Sequence, residues 1–193
     1  MSFYHASSVK NINELEPRVS NHNIPLIYFS NKRENVLVYL SNAIEKVCKE
    51  EKFEYSGLWY KWGSYGFNSD GKLRFEEYYL NALEDTYKGV QGYIYSCNNI
   101  KVYHGIDIKI PNAFVSSEKT VVDSCEFVVD AYEELIKAER EEKITIIRYD
   151  EFIGNKKREE WLKKVIVEDY KNSELHPEYR FFLKKKFSKY WGN

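Results

Sequence analysis

Three short segments carry side chains that could do chemistry together. The first is Tyr4-His5-Ala6-Ser7. The second is Ile27-Tyr28-Phe29-Ser30-Asn31, with another tyrosine, Tyr39, eleven residues after Tyr28. The third is Ser117-Glu118-Lys119-Thr120-Val121-Val122-Asp123. Aromatic rings stack on flat groups, and a carboxylate stabilises positive charge that develops beside it. An imidazole adds a hydrogen bond of either sense. Taken singly, each residue has a plainer reading. Tyr28 and Tyr39 read as core aromatics in a chain with 17 tyrosines, His5 as a satisfied strand-end histidine and Glu118 as a solvated turn residue. Their order along the chain is what makes the set worth weighing.

Those side chains need elements to hold them. Residues 3–6 read as a short strand, followed by a polar loop over 7–23 anchored by Val9, Ile12 and Leu15. The unbroken apolar run Pro25-Leu26-Ile27-Tyr28-Phe29 reads as a buried strand. One long helix is expected next. Asn31 caps it, Glu34 stands at capping-box spacing, and Val36, Tyr39, Leu40, Ala43 and Val47 form its apolar stripe. Strands at 58–62 and 73–75 flank the turn Asn68-Ser69-Asp70-Gly71, and a short helix fits 81–87. Residues 93–95 and 102–103 suggest a second hairpin, and 113–115 and 120–122 two more strands. A helix is expected over 127–140 with Val128, Ala131, Leu135 and Ala138 on one side, then a strand at 144–147. The remainder reads as helical. Trp161, Leu162, Val165 and Ile166 mark one stripe, and Tyr179, Phe182, Leu183, Phe187 and Tyr190 another that begins at Pro177. Both stripes read as core, and Lys184-Lys185-Lys186 as a solvated face.

Composition narrows the function classes. Twenty-nine Lys+Arg stand against 30 Asp+Glu, a net charge of −1, which argues against general nucleic-acid binding. Mean hydropathy is −0.61 and no long apolar run occurs, so no membrane span is expected. Aromatic content of 17% belongs to a folded chain rather than a disordered one. Cys48, Cys97 and Cys125 are few and scattered, which suggests neither a disulfide framework nor a zinc site. No metal is expected. Met1-Ser2-Phe3-Tyr4-His5 has no signal-peptide character, so a cytoplasmic protein is expected. No G-x-G-x-x-G or P-loop pattern is present. The segment Trp59-Tyr60-Lys61-Trp62-Gly63-Ser64-Tyr65-Gly66-Phe67 interleaves aromatics with Lys and Gly, which reads as a packed hairpin or as a stacking surface.

The three segments resemble the ADP-ribosyltransferase fold of the histidine–tyrosine–glutamate type, the poly(ADP-ribose) polymerase and diphtheria-toxin branch. His5-Ala6-Ser7 stands where that family has His-Gly-Ser or His-Gly-Thr. Ile27-Tyr28-Phe29-Ser30-Asn31 with Tyr39 matches its tyrosine motif, and Glu118, Val121 and Asp123 match Glu-x-x-Val-x-Asp. The likeness covers about residues 3–40 and 113–135.

The resemblance implies an α+β fold with split mixed or antiparallel sheets. With no linker, no repeat and sparse Pro and Gly, one domain is expected over 1–193, in which the resemblance marks a core over 1–143, with an aromatic insertion at about 51–100 and a helical extension over 144–193. The resemblance implies NAD as substrate and transfer of ADP-ribose to a macromolecular target. Glu118, His5 and Tyr28 would be catalytic, with His5, Ala6, Ser7, Tyr28, Ser30 and Tyr39 binding NAD. Tyr28 and Tyr39 would sandwich nicotinamide, the Ala6 main chain would hold its carboxamide, and His5 would bond the adenosine ribose. Glu118 would bond the other ribose and stabilise an oxocarbenium-like transition state.

Two departures stand out. Ala6 replaces the family's glycine, and Val36 takes the place of a helix serine three residues before Tyr39. Glu126, Glu133 and Glu151 are alternative carboxylates. Alternative functions are an inactive NAD- or nucleotide-binding module of the same fold, an RNA 2′-phosphotransferase-type activity, and a structural interaction protein.

Overall fold

The computed structural model describes residues 1–19, 23–56 and 64–191. In chain order the elements begin β1 (Phe3–Ser7), β2 (Glu14–Leu15), β3 (Arg18–Val19), β4 (Pro25–Ser30), a 3-10 helix (Arg33–Tyr39) and α1 (Ala43–Glu50). Then come β5 (Tyr65–Phe67), β6 (Leu73–Glu76), α2 (Ala82–Tyr87), β7 (Gly92–Cys97), β8 (Ala113–Ser116), β9 (Thr120–Val121) and β10 (Ser124–Val128). The rest is α3 (Ala131–Arg140), β11 (Ile144–Ile147), α4 (Tyr149–Ile153), α5 (Lys156–Asn172), α6 (Pro177–Lys186) and a last 3-10 turn (Ser188–Tyr190). The chain is α+β with antiparallel sheets, as its sequence leads one to expect. No helix among the described residues is long and apolar enough to cross a membrane.

Two compact units divide the residues. One holds Met1–Leu40, Phe67–Leu73 and Gly89–Ile144, the other Ser41–Gly66, Arg74–Lys88 and Thr145–Asn193. The first is built on a sheet of order β10-β7-β1-β4-β3, with β8 on β4. β7 lies between β1 and β10, in register Phe3↔Cys97 through Ser7↔Tyr93 on one side and Ser124↔Ser96 through Val128↔Gly92 on the other. Gly92 is needed there, because a Cβ would lie 2.5 Å from Leu40 Cδ2 and 3.1 Å from the Ser7 carbonyl. Alternation sends Ala6, Ile94 and Val128 to one face, where the 3-10 helix and α3 pack with buried Val36, Leu37, Ala131 and Leu135. The opposite face carries a cluster of Ile27, Phe29, Cys97 and Leu15, flanked by Phe3, Ile12 and Phe114. α3 starts where Asp130 caps it, its carboxylate accepting from the N–H groups of Tyr132 (2.9 Å), Glu133 (3.3 Å) and Gly89 (2.9 Å).

The second unit buries Ile44, Val47 and Cys48 of α1 against Leu162, Ile166, Phe182, Leu183 and Phe187. The aromatic stripe that begins at Pro177 is core, as its spacing requires. Trp161 departs from its stripe and is 48% exposed. Lys184 and Lys185 are solvated, whereas Lys186 is held on Asp85 at 2.6 Å.

Three sequence expectations fail, each for a local reason. Residues 31–47 do not form one helix. A 3-10 helix ends at Tyr39 and α1 begins at Ala43. Val36, Val38 and Tyr39 are weak helix formers, and Ser41-Asn42 favour a boundary. Asn31 caps nothing, since Lys32 holds the cap position with no side-chain bond. The hairpin of 93–95 with 102–103 is absent because both edges of β7 are taken by β1 and β10. The helix expected from 127 begins at Ala131, and Ser124–Val128 is a strand instead. The expected strand at 58–62 lies outside the described residues. Its turn, 68–71, is formed, with Gly71 at φ 79°.

Asp130→Ala is expected to cost about 1–2 kcal/mol, the worth of a good N-cap plus a third N–H left unpaired. Urea unfolding checks it. A midpoint within error of wild type would contradict this account of where α3 starts.

Candidate functional site

β1 and β4 are neighbours, yet they share the single register pair Tyr4↔Ser30, whereas β1 and β7 share five. Beyond Tyr4 the two strands are tied differently. The His5 Nδ1–H donates to the Tyr28 carbonyl oxygen at 2.9 Å. A carbonyl only accepts, so Nδ1 carries the proton of this bond. The His5 ring packs edge-on to Phe29, 6.1 Å between centroids. In this way a side-chain bond ties β1 to β4 beyond that register pair.

Alternation divides the proposed residues between two faces. His5 and Ser7 share a face with Phe29 and, across β7, with Tyr95 and Tyr93. Cys125 and Phe127 of β10 extend that row, and Tyr93 lies 5.2 Å from Phe127. Tyr95 is sealed in place, its hydroxyl donating to the Val9 carbonyl (2.7 Å) and accepting from the Ile12 N–H (3.4 Å). Tyr28 and Ser30 alternate to the other face of β4, the side on which the 3-10 helix packs. Tyr39 ends that helix and is 37% exposed. Ala6 is buried on the same side. Ser7 and Ser30 are engaged in turns, their Oγ atoms accepting from Val9 N and Lys32 N at 3.1 Å each.

Glu118 stands just past the end of β8, with β4 between that strand and β1. Its carboxylate is 55% exposed and pairs with Lys101. Its N–H donates to Ser116 Oγ at 3.2 Å. Val36, at the expected serine position, is buried and apolar. Glu133 and Glu151 are exposed helix residues, the latter in the other unit. Of the aromatic segment 59–67, residues 59–63 lie outside the described residues. Tyr65–Phe67 forms β5.

A cluster the sequence reading missed sits on the helix-covered face. Arg33, in the first turn of the 3-10 helix, donates Nε–H to Glu126 at 2.8 Å and a second N–H to its other oxygen. The same guanidinium bonds Glu134 of α3 at 2.8 Å. One side chain thus joins the 3-10 helix, β10 and α3. Glu126 lies in the cross-strand row of Ile94 and Ala6. The Arg33 hydrogen bonds hold the Glu126 carboxyl below the usual range, against a desolvation that would raise it. No periodicity in the sequence announces partners 93 and 101 residues apart.

A carboxyl whose folded pKa is depressed stabilises the fold above its unfolded titration, and that stability is lost as pH falls through the folded one. Arg33→Met is therefore expected to lose about 1 kcal/mol at neutral pH, Glu126 being half exposed. The gap from wild type should shrink below about pH 4. Thermal unfolding of both proteins across pH checks this. A gap that stays constant on acidification would contradict the pairing.

No protein-family model, curated protein or solved structure matches this chain.

Proposed function

We propose that the chain is an NAD-binding protein of ADP-ribosyltransferase type that transfers ADP-ribose from NAD to a macromolecular target. The observation that carries this reading is the β1–β4 ladder, reduced to Tyr4↔Ser30 and then bridged by the His5–Tyr28 bond. In this reading the strands part beyond that pair and leave main chain at Ala6 facing side chains of the neighbouring strand. A carboxamide can pair with a peptide group there, so nicotinamide would lie along Ala6 and stack on Tyr28 and Tyr39. Nε2 of His5 would bond a ribose hydroxyl.

Glu118 supplies the carboxylate. Its strand runs antiparallel to β4, from Ala113 opposite Ser30 to Ser116 opposite Ile27, and so ends where β1 and β4 part. Its partner Lys101 is exposed, and a surface pair of this kind is worth roughly 0–1 kcal/mol, so it yields readily to substrate. Glu126 is bound to Arg33 and has a structural task. In the reaction the bond between nicotinamide nitrogen and ribose C1′ breaks, its electron pair leaving with nicotinamide. Glu118 stabilises the cationic carbon, and a target nucleophile bonds to C1′ and gives up a proton.

A second reading keeps NAD binding without turnover. It is favoured by the exposure of Glu118, where water screens its charge, and by Val36, which offers no hydroxyl to the carboxamide.

Incubation with NAD, with nicotinamide followed by chromatography, separates these readings. The transferase reading expects release that falls about a hundredfold in Glu118→Ala. The melting temperature of that variant should stay unchanged, and its NAD affinity should fall far less than its turnover. Saturable heat on NAD titration without release selects the binding module. Neither heat nor release overturns both.

A further inference from the structure

Three side chains of the second unit gather around the phenol ring of a fourth, Tyr170. Arg180 of α6 lies over Tyr170 of α5, with Cζ 4.2 Å from the ring centroid. Lys184, one helical turn on, places Nζ 5.2 Å from the same centroid. The Trp191 ring lies 4.7 Å from it at 53°. The other lysines of this stretch are paired, Lys185 with Glu51, Lys186 with Asp85 and Lys189 with Glu159. Among the described residues Arg180 and Lys184 have no carboxylate within ion-pair distance. Among the described residues, Arg180 Nε and Trp191 Nε1 are buried donors without an acceptor. Buried donors are rarely left unpaired, and each such group calls for an explanation.

We propose that Tyr170, Arg180, Lys184 and Trp191 form a binding site for a phosphoryl group, whether free or carried by a small organic phosphate. Every polar hydrogen in the cluster is a donor and both charges are positive, so the site suits an anion and repels cations. A guanidinium edge matches two phosphate oxygens, and an ammonium adds a compact charge. A dianion with several acceptor oxygens offsets both cations and accepts from the phenol and the indole as well. A hydrogen bond from Lys184, and then the charges of Arg180 and Lys184, draw the Tyr170 phenol below its usual range against its desolvation. The inference stands apart from NAD binding in the first unit.

Calorimetric titration of the whole chain with inorganic phosphate and with adenosine monophosphate, at ionic strength matched with sodium chloride, tests it. Saturable phosphate binding is expected, weakened about tenfold or more in both Arg180→Gln and Lys184→Gln. Tighter binding of adenosine monophosphate, weakened by the same substitutions, assigns the site to an organic phosphate, and equal binding assigns it to the free ion. Phosphate should also protect Lys184 of the wild-type protein from amine acetylation, read by mass spectrometry, which does not depend on how the variants fold. Absence of saturable binding, affinity unchanged in both variants, or Lys184 acetylated equally with and without phosphate would overturn the proposal.

Discussion

The bond from His5 Nδ1 to the Tyr28 carbonyl is the constraint on which the first unit turns. A strand beside another normally spends its peptide groups on the ladder. Here one register pair is made, Tyr4↔Ser30, and a side chain takes the next carbonyl. The sheet tolerates this because β1 is secured from its other side, five pairs deep, by β7. It is also secured from beneath, by the 3-10 helix that packs on β1 and β4. Arg33 fixes that helix in turn, binding β10 and α3 through two carboxylates. The His5 side chain thereby ties the two strands beyond their one register pair.

The same constraint explains why the proposed residues do not simply line one wall. Neighbouring residues of a strand alternate, so His5 joins Phe29 and Tyr95, while Tyr28 turns to the side of the 3-10 helix.

Much of the scaffold was legible where one period dominated. The apolar run of β4 and the stripe Tyr179, Phe182, Leu183, Phe187 and Tyr190 were read correctly because burial leaves few other patterns. The long helix over 31–47 was misread because Val36, Leu40, Ala43 and Val47 keep one rhythm across a real break. A 3-10 turn and an α turn differ too little in period for these four positions to tell them apart. The last two residues of β10, Phe127 and Val128, read as helix because Val128 falls at helical spacing with Ala131, Leu135 and Ala138. β7 was given a local hairpin partner, although its true partners, β1 and β10, pack it from distant parts of the chain. Of the site, the identities of His5 and Tyr28 were readable, but their hydrogen bond was not. Arg33 with Glu126 and Glu134 was invisible for the same reason, being a contact of topology and not of spacing.

Backbone amide hydrogen exchange with and without NAD addresses the central claim most directly. If the dinucleotide enters between the parted strands, exchange should slow at Ala6, Ser7 and Tyr28, while the amides of α5 and α6 keep their rates. Unchanged rates at those three residues under saturating NAD, or protection confined to the other unit, would contradict it.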